Sequence, residues 1–174
     1  MGDETTVGDE QAVTPWSDVV RGVYDDHQPR LWRAVLAWSG SVDVADEAVA
    51  EAFAQLLRRG GEVRDPQAWV WRAAFRLAAG ELQRRRRSIT SSDREAEQIA
   101  APSDRLPDDA VDLLRAMAKL TDQQRRCIAL VDVAGHTAPS AAEVLGTTAA
   151  TVRVQLMRAR RALRTALADP EVPR

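Results

Sequence analysis

Apolar side chains in this sequence return every third or fourth residue, and that period is the strongest constraint on its fold. Val19, Val20, Val23, Leu31, Val35 and Leu36 keep it from Trp16 to about Ser39, with Pro29 as a start or kink. Ala45, Ala48, Val49, Ala52, Phe53, Leu56 and Leu57 form one stripe ending near Arg59, with Asp43 as the expected cap. Gly60-Gly61 stop that helix, Asp65-Pro66 open another, and Val70, Ala73, Ala74, Leu77 and Leu82 give its buried side from Trp69 to about Arg87. Val111, Leu114, Met117 and Ala118 line a helix from about Asp109 to Lys119. Thr121 or Asp122 caps the next, which carries Cys127, Ile128, Leu130 and Val131 and ends at Gly135. A short segment, Ser140–Leu145, follows Pro139. After Gly146, Thr147-Thr148 start a last helix to about Leu167, striped by Val152, Leu156, Ala159, Leu163 and Ala166/Leu167. Thirty alanines agree with an all-α chain.

The net charge of −2 hides a pattern. Residues 1–15 sum to −4, 16–87 to +2, 88–109 to −4, 110–168 to +5 and 169–174 to −1. The first and third segments lack periodicity, and the third is rich in Ser, Asp and Pro. The organisation expected is two small helical domains, 16–87 and 110–168, joined by a flexible acidic linker at 88–109. A disordered acidic tail at 1–15 and a loose tail at 169–174 flank them.

Of the 24 basic residues only Lys119 is not arginine. The last helix has five arginines and no acid between Ala149 and Ala168. Opposite its apolar stripe stand Thr151, Arg153, Gln155, Arg158, Arg161 and Arg164. A short helix, a glycine turn and a basic amphipathic helix make the helix-turn-helix pattern, whose second helix offers side chains to base edges in the major groove. In the first domain Arg72 and Arg76 lie one turn apart and Arg84 to Arg87 run on, a track suited to phosphates.

The strings YDDHQPRLWR, VADEAVAEAFAQLLRR and RDPQAWVWRAAFRLAAGELQRRRR, followed by LTDQQRRCIALVDVAGHTAPSAAEVLGTTAATVRVQLMRARRAL, resemble a bacterial RNA polymerase sigma factor. The resemblance is to the extracytoplasmic-function (ECF, group 4) kind, over about residues 16–167. It implies a region 2-like helical bundle followed by a region 4-like helix-turn-helix. Asp46, Glu47, Val49, Ala50, Glu51 and Phe53 would bind the β′ clamp helices of core RNA polymerase. The loop from Arg59 to Pro66 and the helix after it would engage the promoter −10 element through Arg59, Arg64, Trp69, Arg72, Arg76, Arg84 and Arg85. Thr148, Thr151, Arg153, Val154, Met157, Arg158 and Arg161 would read the −35 element. The β flap, promoter DNA and an anti-sigma factor are the further partners implied.

The chain also departs from that pattern. Val44-Ala45-Asp46-Glu47 and Ala50 stand where an acidic quartet and a glutamine are common, and Arg76 and Gly80 where an asparagine and an aspartate are. Pro139 and Ser140 replace a usual Tyr/Ala-Glu pair, which predicts a shortened first helix of the helix-turn-helix. Val154 and Met157 offer no strong hydrogen bonds, so −35 readout leans on shape.

Other classes fit poorly. No apolar run approaches the ~20 residues needed to span a bilayer, and the opening MGDETTVGDE has no signal-peptide character. With a single cysteine no internal disulfide can form, which suggests a reducing, cytoplasmic setting. His27 and His136 lie far apart in sequence, Cys127 falls on an apolar stripe, and no metal-ligand cluster or phosphate loop is present, so neither an enzyme nor a cofactor is expected. Trp69 and Trp71 cannot share a helical face, so one of them is expected at single-stranded DNA or a partner. The remaining alternatives are a stand-alone helix-turn-helix regulator and a sigma-like regulatory protein that forms no holoenzyme.

Overall fold

In a computed structural model of the chain, residues 15–88 and 106–168 are described, and every regular element among them is helical. Helix α1 (Trp16–Ser39) passes unbroken through Pro29, which sits on its exposed side, and ends on Gly40 at φ 71°. Only a residue at ease in the left-handed region can close a helix that way. Helix α2 (Val42–Arg59) is capped by Ser41, whose hydroxyl accepts from the Val44 amide at 3.4 Å. Asp43, the expected cap, lies instead in the first turn, where the helix dipole favours it. A 3₁₀ turn at Gly60–Glu62 leads to α3 (Pro66–Ser88), opened by Asp65 accepting from the Ala68 amide at 2.8 Å.

In the second half, α4 (Asp108–Ala118) is followed by α5 (Asp122–Ile128). Thr121 and Gln124 close a reciprocal capping box at the start of α5. A π-type turn, Ala129–Val133, extends α5, with the Ala134 amide bonding back to the Ala129 carbonyl at 3.0 Å. Helix α6 (Ala138–Leu145) begins two residues earlier than the sequence suggests. Thr137 caps it, and Pro139 occupies the first turn, where a missing amide costs nothing. Gly146 at φ 64° turns the chain into α7 (Ala149–Ala168), which Thr148 caps by accepting from the Thr151 amide at 3.1 Å.

The two halves do not keep separate cores. Their buried residues form one continuous cluster, in which α1 packs on α2 and α3 and also on α4, α5 and the π turn, while α3 meets α6. The cause lies in α1. Ala34, Val35, Leu36, Ala37 and Trp38 are five consecutive buried residues, too many for one helical face. Polar ties reinforce the junction. The Trp38 indole donates to Asp122 Oδ1 at 2.8 Å and stacks on Phe75 with ring centres 5.2 Å apart. The Arg126 guanidinium lies over the Trp38 ring at 4.4 Å and pairs with Asp122 at 2.9 Å. Arg30 donates to the Ala134 carbonyl, its Nε at 3.1 Å. The acidic linker and both tails fall almost wholly outside the described residues.

Leu130 is fully buried where the two halves meet. Leu130→Ala should lower unfolding stability by about 2–5 kcal/mol, read from the urea midpoint.

Candidate nucleic-acid interface

The helix-turn-helix is α6–α7. Ala141 and Ala142 of α6 and Val152, Leu156 and Ala159 of α7 are buried, locking α7 by one stripe. On its outer side Arg153, Val154, Met157, Arg158 and Arg161 are exposed, Met157 at 65 %. Thr148 is exposed and Thr151 half-buried, their hydroxyls 2.9 Å apart at the helix start. All seven residues predicted to read the −35 element therefore share the accessible end and side of one helix. Arg153, Arg158 and Arg161 have no ion pair among the described residues, so their guanidiniums are available to phosphate and base edges. Arg160 is different. It makes a bidentate pair with Asp132 at 2.6 and 3.0 Å, fastening α7 to the π turn. In the sequence Arg160 looks like its neighbours, and only the fold brings Asp132 beneath it.

On α3, Arg72 and Arg76 are exposed, as are Arg59 and Arg64 on the approach to it. Trp69 is half-buried, with the Arg59 guanidinium over its ring at 5.4 Å. Trp71 is fully buried, against His136 of the second half, with ring centres 4.3 Å apart. Trp69 keeps part of its surface accessible, while Trp71's partner is within the chain. The arginine run at the end of α3 is also restrained. Glu81 binds Arg84 at 2.5 Å and Arg85 at 2.9 Å, and Arg85 is within 3.3 Å of the Ser41 hydroxyl. These guanidiniums hold the Glu81 carboxyl below its ordinary pKa, Arg85 contributing most.

On α2, Asp46, Glu47 and Ala50 are exposed and Glu51 is half-buried, together forming an outward acidic face. The Trp32 indole donates to Asp46 at 2.7 Å, and Gln55 and Arg58 donate to Glu51 at 2.9 and 2.7 Å. Val49 and Phe53 do not belong to that face. They are 3 % and 6 % exposed, and Phe53 meets Tyr24 edge-on, so they hold α2 in the core. Cys127 is a buried core thiol whose pKa burial pushes up. Among the described residues no group of three His, Cys, Asp or Glu could hold a metal. Nor is any described helix long and apolar enough to cross a membrane.

An exposed basic helix is thus locked into a helix-turn-helix, behind a helical module with an acidic face. Residues 110–163 match the family Sigma-70, region 4. Along most of its length the chain is similar to the ECF RNA polymerase sigma factor SigL of Mycobacterium tuberculosis, at 29% identity over 90% of this chain and 93% of SigL. It is also similar to the ECF sigma factor BldN of Streptomyces coelicolor, at 27% identity over 92% of this chain and 64% of BldN. Its fold resembles CnrH, solved with the cytosolic domain of CnrY (TM-score 0.66, 19% identity, 87% of this chain and 89% of that one). It likewise resembles the sigma factor RpoE of Bartonella quintana, solved with the anti-sigma factor NepR (TM-score 0.65, 18% identity, 89% of this chain and 98% of that one). These findings together support a sigma factor of the ECF type.

Glu81→Gln should release Arg84. The variant is expected to bind non-specific duplex DNA more tightly. The slope of log affinity against log salt should steepen by about 1, read by fluorescence anisotropy across a salt series.

Proposed function

We propose that this chain is an ECF (group 4) sigma factor that binds core RNA polymerase, brings it to promoters through −10 and −35 elements and promotes their melting. The observation that carries this is the outward, ion-pair-free face Arg153–Arg158–Arg161 on α7, with Thr148, Thr151, Val154 and Met157 beside it. Its work is binding and DNA deformation, not bond chemistry. α7 enters the major groove at the −35 element, with arginines to phosphate and guanine and Val154 and Met157 against apolar base edges. Arg59, Arg64, Arg72 and Arg76 contact the −10 element, and Arg84 and Arg85 join them once Glu81 yields. Asp46, Glu47, Ala50 and Glu51 dock on the β′ clamp helices, and the second module meets the β flap. Trp32 is the natural positioner of Asp46 in that dock. A separate anti-sigma factor restrains the protein, a reading supported by the neighbour RpoE, solved with the anti-sigma factor NepR. Such a protein works in the cytoplasm, where polymerase and promoter are.

The two promoter elements lie roughly 25 base pairs apart, about 85 Å of duplex at about 3.4 Å per step. A packed body of this many residues is only roughly 40 Å across. The modules must therefore part before both elements can be held.

Mixing the full chain with core polymerase and a promoter selected by the holoenzyme tests the reading. A sigma factor co-elutes with core and initiates only with it. Duplex binding by the chain alone, without holoenzyme formation, would instead mark a stand-alone regulator. Arg153→Ala should cost about 1–3 kcal/mol of −35 discrimination and relax preference at one position, read by competition among mutated promoters.

A further inference from the structure

Both histidines of the chain meet at the junction of its two halves. His27 on α1 and His136 before α6 flank the buried Trp71 indole edge-on, with ring centres 6.5 and 4.3 Å from it. Arg30 crosses the same junction to the Ala134 carbonyl, on the turn that carries His136. His136 Nδ1 lies 2.7 Å from the Ser140 hydroxyl, while its Nε2 is buried without a partner, as is His27 Nδ1. A neutral imidazole tolerates one bare acceptor nitrogen. An imidazolium has two donors, and burying one of them unpaired is expensive.

The surroundings offer little to stabilise that charge. Facing His27 are Asp26 and Arg30 from its own helix and Gln67 and Trp71 from α3. Facing His136 are Arg30 and His27 from α1, Trp71 from α3 and Ser140 from α6. Asp26 is the one carboxylate in the set and acts on His27 alone.

We propose that the His27–Trp71–His136 contact is an acid-opened latch, in which protonation of the two imidazoles parts the second module from the first while each stays folded. Burial first, and then the Arg30 charge, hold both imidazoles below the ordinary histidine value of 6.5. The packed junction thus binds protons less readily than the parted one. It holds fully above about pH 6.5 and weakens as pH falls below it, until the packed-state values are passed. In that window the open-to-packed ratio rises by up to about tenfold per histidine per pH unit. The latch itself is independent of the sigma reading. Its consequence, release of a promoter-competent form, rests on that reading.

Small-angle X-ray scattering of the full chain, with far-UV circular dichroism, from about pH 7.5 to about pH 5.5 tests the latch in the range where histidine titrates. The radius of gyration is expected to rise on acidification at constant helix content. The double variant His27→Gln/His136→Gln should remain packed throughout. A radius that does not change, an expansion that coincides with loss of helix, or an equal expansion of the double variant overturns the proposal. Should the double variant be open at every pH, NMR titration of the wild-type imidazoles decides. Titration of His136 below its ordinary value supports the latch, and titration at or above that value overturns it. Failure to form holoenzyme would remove the sigma reading and leave the scattering result untouched.

Discussion

The structure depends on one stretch near the end of α1, Ala34 to Trp38, having no polar side. A helix with one apolar stripe can be satisfied by a single layer of neighbours. Ala34 to Trp38 present apolar atoms in every direction, so water must be excluded all around them. Helices α2 and α3 cover one side, and α4, α5 and the π turn cover the rest. That enclosure explains why one core runs through both halves of the chain. It also explains why the polar groups of α5 gather at Trp38. Asp122, at the dipole-positive start of α5, accepts the indole proton and holds Arg126 over the ring.

Much of this was legible in the sequence, where local chemistry decides it. The stripes, the glycine stops and the Thr121 and Thr148 caps depend on neighbours within a turn or two, and the helices follow them closely. Ser41 displaces Asp43 as a cap by only two positions. What was missed depends on distant partners. Val49 and Phe53 were assigned both to a buried stripe and to a docking face, and burial settles them as core. Trp71 cannot share the Trp69 face, and the sequence does not say what covers it. The face it does share is covered by His136, 65 positions away. The five-residue apolar run of α1 was a readable signal that one module could not enclose it.

The basic surface is likewise graded by the fold rather than by arginine count. Glu81, Asp122 and Asp132 each bind one or two arginines, so Arg84, Arg85, Arg126 and Arg160 serve structure first. Arg153, Arg158 and Arg161 have no such carboxylate among the described residues. A guanidinium already paired must exchange one anion for another when DNA arrives, and the gain is small. One that is hydrated and unpaired releases counterions from DNA at full effect. The near-neutral net charge thus says little about which arginines are open to an anion. The pairing does.

For the proposed parting, the junction between the halves must be strong enough to order the chain and weak enough to yield. Trp38 and Trp71 are its largest apolar groups. A tryptophan buries roughly 150–250 Å², worth about 4–6 kcal/mol at ~25 cal/mol per Å². Much of that area is covered within the first module, since Trp38 stacks on Phe75 of α3, so parting the halves exposes only a share of it. The polar ties through Asp122 and Arg30 exchange for water at small net cost. The opening free energy is therefore on the order of several kcal/mol. A partner bound at nanomolar strength supplies about 12 kcal/mol. On the proposed reading, a polymerase or promoter that engages only the parted form can drive the separation and still bind tightly.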